Sequence, residues 1–445
     1  MSRRRCKSVS RSLCGVLLVA LASLGLGGCG NGEQTGAAGP PTATLSSSLG
    51  SSGLGKVAYT LDGDVYSLAL PDGAPKRLTT DGAGSSPRWS PSGQWLIFQR
   101  AQTYWLMRAD GSRQRALGEG PAAWSPRGDR LAYPGEPGAV VVEDADGSGR
   151  RELPTLIGTP RGLTWSPDGD SLAYVEEIKG TETPFGRYAK LLAISVDGGG
   201  ANTDLYQSIG GIELAGWSAD GSYVLFWRGM QFSGSFTADG LLLQSIPASG
   251  GQPRGLLQGL VWPEMWSAAP SGDGIAMTDG GGRESWSGKR IAVVDVATGD
   301  VGEMTGSETA SVEPSWSADG RRIAFVSQPD RGPDMGPSGG FPPLLRDRRI
   351  WVMDRNGTDK RQLTNDPAYR DERPLWSPDG SQILFARVDE EERASLWLVP
   401  SAGGEPRQVV EAMASRELGI ADPSAYLDYY GSVRWDSVFD WWRGS

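Results

Sequence analysis

Eight charged residues of the 445-residue chain cluster around one position of an internal repeat, where they could form a binding site. The four glutamates among them lie three or four residues ahead of positions 217, 268, 316 and 376, which are equivalent points of the repeat described below, and the other four residues are expected to join them. The members of this predicted binding rim are Glu213, Glu264, Glu313, Arg370, Asp371, Glu372, Arg373 and Asp428. A ring of carboxylates could hold a divalent cation or a cationic peptide, and it could equally be a row of solvated strand starts. We predict no cofactor, with weak Ca²⁺ binding as the alternative.

The composition excludes several kinds of active site. The chain contains no histidine and 3 cysteines, so Ser-His-Asp triads, Cys-His pairs and imidazole metal ligands are absent. One stretch, Gly336-Pro-Ser-Gly-Gly340, matches the G-x-S-x-G nucleophile elbow, but it lies in a Pro- and Gly-rich loop instead of between a strand and a helix. We therefore predict that the protein is not an enzyme.

The N-terminal residues are typical of a secretory signal. Five basic residues within residues 1–28 precede an apolar run of about 11 residues, which is too short to cross a bilayer as a mature helix. Leu26-Gly27-Gly28-Cys29 then resembles the lipobox of bacterial lipoproteins, which implies cleavage before Cys29 and lipidation of that cysteine. By the same resemblance, Gly30 favours delivery to the periplasmic side of an outer membrane in a diderm organism, and anchoring to the cell membrane otherwise.

Cleavage would also change the charge and leave a tether. Loss of five positive charges moves the formal net charge from −10 to −15, which disfavours nucleic acid as a partner. Residues 29–55 are rich in Gly, Ser, Thr, Ala and Pro and predict a flexible linker. We predict a monomer that reaches the membrane through its N-terminal lipid.

The remaining chain is a repeat whose signature is Trp-Ser-Pro-Asp-Gly followed by a short apolar run. Six close copies begin at Trp89, Trp124, Trp165, Trp217, Trp316 and Trp376, and a degraded seventh copy covers Ala268–Gly272. Pro presets the turn conformation, Asp or Ser can bond its own backbone, and Gly accepts a positive φ. A second small-residue turn, such as Asp110-Gly111 or Asn356-Gly357, follows each copy, so each repeat predicts four antiparallel strands.

Four-stranded repeats predict an all-β protein, a single β-propeller over residues 56–437. The 380 residues from 56 to 435 give 47.5 residues per blade for eight blades, within the usual 40–50; seven blades is the alternative. The first unit lacks a leading strand, and Gly431–Ser437 is predicted to supply it and close the ring, leaving 438–445 as a short tail.

The repeat resembles the TolB-like, WD40-like propeller repeats, and more loosely the propellers of dipeptidyl-peptidase-IV-type enzymes. The resemblance covers almost all of the mature chain and implies the propeller fold, whereas the motif itself recurs in proteins of many functions. We expect no counterpart here of two features of these relatives: the α/β domain that precedes the TolB propeller, and the hydrolase domain of the peptidases.

Two further patterns have competing interpretations. Asp144-Ala-Asp146-Gly147 and Asp354–Asp359 resemble the opening of a Ca²⁺ loop but fall where every repeat needs a turn. Seven of the 17 tryptophans occupy the repeat position, Trp435 among them, and are predicted to wedge between blades. Five others could bind a ligand, or simply pack: Trp262, Trp266, Trp286, Trp441 and Trp442.

Loop lengths favour one face for binding. In a four-stranded meander, the second connection and the link to the next blade share one face. All long insertions fall in those places: Glu176–Lys190, Arg228–Gly240, Thr278–Lys289, Gln328–Arg349 and Glu411–Tyr430. We predict an extracytoplasmic propeller that binds an envelope protein or peptide through these loops. The alternative is a propeller that binds envelope glycans or cleaves them with its carboxylates.

Overall fold

The computed structural model describes residues 53–444, apart from 136–137, 156–159, 179–187, 198–200, 210, 230–239, 273, 334–341, 414–430 and 432. The predicted signal peptide (1–28), Cys29 and nearly all of the tether lie outside the described residues and stay predictions. The Gly336–Gly340 motif lies outside them as well. Within the described residues, no helix is long and apolar enough to span a membrane.

Eight antiparallel sheets of four strands each form the blades of a propeller, so the predicted fold and the blade number of eight are confirmed. The first blade combines β1 (Lys56–Leu61), β2 (Asp64–Ala69) and β3 (Lys76–Arg77) with the C-terminal strand β32 (Phe439–Trp442). The second contains β4 (Gly84–Trp89), β5 (Trp95–Arg100), β6 (Thr103–Arg108) and β7 (Arg115–Glu119). The third contains β8 (Ala123–Trp124), β9 (Arg130–Pro134), β10 (Ala139–Asp144) and β11 (Arg151–Pro154).

The remaining blades follow in chain order. The fourth contains β12 (Arg161–Trp165), β13 (Ser171–Glu177), β14 (Tyr188–Ser195) and β15 (Asn202–Ile209). The fifth contains β16 (Ile212–Trp217), β17 (Tyr223–Arg228), β18 (Leu241–Pro247) and β19 (Arg254–Gly259). The sixth contains β20 (Trp266–Ala268), β21 (Ile275–Asp279), β22 (Arg290–Val294) and β23 (Val301–Glu303). The seventh contains β24 (Thr309–Trp316), β25 (Arg322–Pro329), β26 (Arg349–Asp354) and β27 (Arg361–Gln362), and the eighth β28 (Arg370–Trp376), β29 (Gln382–Val388), β30 (Ala394–Pro400) and β31 (Arg407–Met413). The described residues also contain one short α-helix, α1 (Pro342–Leu345), and 3-10 helices at Pro263–Met265 and Trp435–Ser437.

The repeat signature forms the turn between the first and second strands of a blade, as predicted. In the fourth blade, Ser166 Oγ donates to Asp168 Oδ1 and accepts the main-chain N–H of Ser171 at 3.0 Å. Gly169 closes the turn with φ +73°, a conformation that side chains with a Cβ rarely adopt. The apolar run that follows is buried; Leu172, Ala173 and Tyr174 are all 0% exposed. The turn chemistry therefore fixes the register that places this run in the core.

The repeat tryptophans join neighbouring blades. In four of the six close copies, the indole Nε1 donates to a main-chain carbonyl oxygen just before the tryptophan of the preceding blade, whereas the buried Nε1 of Trp89 and of Trp316 has no partner among the described residues. The pairs are Trp124 with Arg88 (3.2 Å), Trp165 with Ala123 (3.1 Å), Trp217 with Thr164 (3.4 Å) and Trp376 with Ser315 (2.9 Å). Each of these indoles is held by a directed hydrogen bond between blades, and Trp165, Trp217 and Trp376 are also buried, whereas Trp124 is half-buried.

The ring is closed by the C-terminal strand, but not by the segment that the sequence suggested. Strand β32 pairs with β1, with Trp441 opposite Val57 and Phe439 opposite Tyr59. The predicted closing residues instead end in a 3-10 turn over Trp435–Ser437. Trp441, not Trp435, therefore occupies the repeat position of the first blade. The prediction was wrong because Trp435 is followed by Asp-Ser, which imitates the signature, whereas the strand forms from the alternately buried residues after it.

The two faces of the ring differ as the loop lengths predicted. First and third connections are short and define the short-turn face; second connections and links between blades define the long-loop face. Of the five long segments, Thr278–Lys289 is described throughout, and the other four contain residues that the structure does not describe.

Candidate functional site

The predicted binding rim is largely a buried cluster of charges between the last three blades and the C-terminal segment. Glu264, Asp371 and Glu372 are each 0% exposed, and Glu313 is 1% exposed. Arg370 is buried and Arg373 half-buried. Asp428 lies outside the described residues. We refer to Glu264, Glu313 and Glu372, with Arg348, Arg370 and Arg373, as the carboxylate cluster.

Glu372 is the most highly coordinated carboxylate of the cluster. Its Oε1 accepts hydrogen bonds from Arg348 Nη1 at 2.7 Å and Arg370 Nε at 3.1 Å. Its Oε2 accepts the indole N–H of Trp435 at 2.9 Å. Burial opposes ionisation of this carboxyl, but the charges of Arg348 and Arg370 outweigh burial and lower its pKa. Glu372 is thus a buried anion neutralised by two buried cations.

Glu313 and Glu264 differ from Glu372 because their pKa values are raised instead of lowered. Glu313 Oε2 accepts the main-chain N–H of Arg373 at 2.6 Å, and Glu264 Oε1 accepts that of Asp436 at 2.8 Å. The second oxygen of each is buried without a hydrogen-bond partner among the described residues. Burial raises the pKa of Glu313 to about 8, with the charge of Glu372 adding to the effect. Burial also raises the pKa of Glu264 to about 7, against the charge of Arg373.

Backbone geometry in the innermost strands positions two of these residues. Glu313 and Arg373 each lie three residues before a repeat tryptophan and adopt left-handed φ values of +57° and +54°. The strand register shifts there, between Val312 and Ser315 in one blade and between Glu372 and Leu375 in the next. Such a bulge re-aims a side chain. Here the main-chain N–H of one bulge reaches the carboxylate of the other.

Two further ion pairs adjoin the cluster, one formed by Asp371 beside it and one formed by its member Arg370. Asp371 accepts two hydrogen bonds from Arg387, at 2.7 Å and 3.2 Å. The guanidinium of Arg387 also lies 4.6 Å from the ring centroid of Trp397. A carboxylate and an aromatic ring therefore both stabilise its charge. Arg370 Nη1 donates to Glu392 at 2.7 Å.

The structure therefore corrects the predicted rim. Glu264, Glu313, Asp371 and Glu372 face protein groups and present no surface to a partner in this conformation. Glu213 is exposed and lies apart, where Arg161 and Glu177 are its charged neighbours; partial desolvation raises its pKa. The spacing placed three carboxylates together correctly, but it could not reveal that Arg348 and Trp435 cover them.

No trio of Cys, Asp or Glu suited to a metal ion is found within the described parts of the chain. In the turn that resembled a Ca²⁺ loop, Asp146 Oδ1 accepts the main-chain N–H of Ser148 at 2.8 Å. Asn356 Oδ1 accepts that of Thr358 at 3.1 Å in the corresponding turn. These side chains act as turn acceptors.

The fully described long segment, Thr278–Lys289, is held rigidly on the long-loop face. Lys289 is buried, and its ammonium donates to the carbonyl oxygens of Gly281 at 3.0 Å and Gly282 at 3.1 Å. Burial lowers the pKa of Lys289 to about 8. Asp330 accepts the hydroxyl of Ser287 at 2.8 Å and the main-chain N–H of Gly288 at 2.7 Å. The tip at Gly281–Gly282 stays exposed on this support.

The second site that the geometry offers is a cavity of about 670 Å³ on the short-turn face. Seven tryptophans line it: Trp89, Trp124, Trp165, Trp217, Trp266, Trp441 and Trp442. Asp440 and Arg443 are its charged lining residues. The sequence predicts four of these indoles as wedges between blades and the other three, Trp266, Trp441 and Trp442, as candidate ligand-binding residues, but it does not predict that all seven meet around one space.

Comparison with known proteins supports the fold. No family model matches the chain. It is 36% identical over 94 residues to the uncharacterized peptidase YuxL of Bacillus subtilis, covering 21% of this chain and 12% of that protein. It is 32% identical over 177 residues to the uncharacterized protein Atu1656 of Agrobacterium fabrum, covering 37% of this chain and 47% of the other. The matches thus span less than half of each curated relative.

Among solved structures, dipeptidyl peptidase 4 of Porphyromonas gingivalis matches with a TM-score of 0.54 and 11% identity, covering 81% of this chain and 58% of the enzyme. TolB of Acinetobacter baumannii also matches, with a TM-score of 0.33, 19% identity, and 73% and 79% of the two chains covered. The resemblance to TolB-like and dipeptidyl-peptidase-IV-type propellers that the repeat indicated is confirmed as one of fold.

Proposed function

We propose that this protein is a non-catalytic, membrane-tethered extracytoplasmic propeller that binds an envelope protein or peptide through its long-loop face. The observation that carries the proposal is the segregation of long segments to one face of an eight-bladed ring. Rigid scaffolds that present loops on one side are where binding residues usually lie. The support of the 278–289 segment by Lys289 and Asp330 gives this face a pre-organised platform.

The absence of catalysis is part of the proposal. The full chain has no histidine, and the carboxylates with raised pKa values, Glu264 and Glu313, are buried without access to substrate. A general acid or base must come within hydrogen-bond reach of the reacting atom. The carboxylate cluster instead serves to join blades to the C-terminal segment.

The experiment is crosslinking in the native cell, followed by affinity purification and quantitative mass spectrometry. Gly281 is exposed and has an ordinary φ, and a Cβ added there would come no closer than 3.9 Å to any neighbour, the nearest being Gln258 Nε2. Gly281→Arg should therefore fold normally and lose the captured partner. Arg127→Glu, an exposed position on the short-turn face, should retain it. Loss with Arg127→Glu alone, or no partner above an unrelated propeller, would overturn the proposal.

A further inference from the structure

The cavity on the short-turn face, which the proposed function does not use, has walls that are fixed in place. The indole N–H groups of Trp124, Trp165 and Trp217 are committed to main-chain carbonyls of neighbouring blades. Trp441 and Trp442 donate likewise to Leu54 and Pro91, each at 2.7 Å. These rings therefore offer carbon surface to the cavity instead of hydrogen bonds. A volume of about 670 Å³ is in the range of pockets that hold small organic ligands.

Two hydrogen-bond donors in the cavity lining, the guanidinium of Arg443 and the indole N–H of Trp266, have no acceptor among the described residues. Arg443 is exposed to the cavity and has no ion pair or hydrogen bond in the described part of the chain; its guanidinium lies 5.4 Å from the ring centroid of Trp441. The indole N–H of Trp266 likewise forms no hydrogen bond with the described residues. The carboxylate of the lining, Asp440, uses one of its oxygens, Oδ2, to bind the main-chain N–H of Trp89 at 2.7 Å.

The charge of Arg443 is balanced only in part, by Asp440 in the same lining. Although the side chain is exposed, partial desolvation by nearby protein atoms lowers the pKa of Arg443; the charge of Asp440 opposes this effect, and the positive charge of Arg373 adds to it. A guanidinium held near a second cation and beside an apolar space is stabilised by any anion that enters.

We propose that this cavity binds an organic anion, a carboxylate carried on a six-membered ring, with the carboxylate on Arg443 and one face of the ring against the tryptophans. Aromatic acids and acidic sugars share this chemistry, because both a benzene ring and the face of a pyranose stack on indole. The site lies on the face opposite to the long loops, so it is independent of the proposed protein partner.

The aromatic walls do not favour a cation. Lys56 Nζ already lies 4.4 Å from the ring centroid of Trp89 and 5.0 Å from that of Trp442. Arg443 lies over Trp441 in the same way. Both charges disfavour a cationic ligand and favour an anionic one, and Asp440 is the single opposing charge that lines the cavity.

The test is isothermal titration calorimetry with saturation-transfer NMR on the mature protein. Benzoate and glucuronate are the charged probes, and benzamide and glucose are their uncharged partners. We expect at least one acid to bind roughly tenfold more tightly than its neutral partner, because a charge-assisted hydrogen bond is lost in the latter. Binding of benzoate alone assigns an aromatic acid, and binding of glucuronate alone assigns an acidic sugar.

Variants locate the site. Arg443→Ala should weaken binding about tenfold, Arg443→Lys should restore part of it, and Trp266→Phe, which keeps an aromatic ring but removes the N–H, should weaken it less. Arg355→Ala is the matched control, since Arg355 is an exposed arginine 5.8 Å from the Trp316 ring centroid and outside the cavity lining. Equal melting temperatures would establish that each variant folds. The proposal is overturned if neither acid binds at about 10 mM, a concentration that saturates sites of millimolar affinity, or if Arg443→Ala binds as the wild type does.

Discussion

The indole N–H of Trp435 donates a 2.9 Å hydrogen bond to Oε2 of Glu372. Trp435 belongs to the C-terminal segment, and Glu372 to the innermost strand of the eighth blade. Both are 0% exposed. The contact joins the segment that precedes the closing strand to a carboxylate that already holds Arg348 and Arg370, so ring closure and the carboxylate cluster depend on each other.

Neutralising Glu372 should destabilise the fold strongly. Glu372→Gln leaves two buried guanidinium groups without their shared counter-charge, and breaking a buried ion pair costs about 3–5 kcal/mol. Urea unfolding, followed by circular dichroism, should show a midpoint shifted to much lower urea. Glu213→Gln, at an exposed carboxylate, should change the free energy of unfolding by less than about 0.5 kcal/mol. Equal effects of the two substitutions would contradict a structural role for the cluster.

Glu313 should make the stability fall as pH rises. Its pKa is about 8 when folded and about 4.3 when unfolded. Between these values the unfolded chain has released a proton that the folded chain retains, so the free energy of unfolding decreases up to pH 8 and is constant above it. Glu264, with a pKa of about 7, likewise makes the free energy of unfolding decrease as pH rises.

Glu313→Gln removes this titration while an amide replaces the protonated carboxyl. The stability of the wild type relative to this variant should therefore be highest near pH 5 and decline toward pH 8, measured as melting temperatures across that range. A relative stability that rises with pH would show that Glu313 is ionised in the fold, contrary to the predicted direction.

The closing strand should be indispensable. Truncation after Ser437 removes Phe439–Trp442, exposing the edge of β1 and leaving a gap where Trp441 packs. The shortened chain should lose its near-ultraviolet circular dichroism and aggregate. Truncation after Trp442 keeps the strand and should remain folded. A cooperative transition in the chain that ends at Ser437 would rule out closure by β32.

Lipidation of Cys29 is testable independently of the fold. Radiolabelled palmitate should be incorporated into the wild-type protein expressed in a bacterial host, and the Cys29→Ala variant should remain unlabelled and unprocessed. Cys14→Ala, within the predicted signal peptide, is the matched control and should be labelled normally. Labelling of the Cys29→Ala variant would exclude the predicted anchor.

The sequence predicted the blades because each repeat carries its own turn chemistry. Asp168 and Gly169 specify a turn from local geometry alone, and Leu172–Tyr174 then follow into the core. The strand that closes the ring was harder to predict from the sequence, because Trp435 and Trp441 are both tryptophans near the C-terminus. Only the pairing of Trp441 with Val57 shows which of them belongs to the closing strand. The clustering of Glu313 and Glu372 followed from repeat spacing, but their burial depends on Arg348, which precedes β26 and belongs to no repeat motif.

The central claim, that the long-loop face binds a protein partner, is tested most directly by site-specific photocrosslinking in the native cell. The photoreactive residue p-benzoylphenylalanine is introduced either at position 281, on the long-loop face, or at position 127, on the short-turn face; both positions are exposed. The account predicts one discrete crosslinked product from position 281 and none from position 127. A product from position 127 alone, or from neither position, would contradict it.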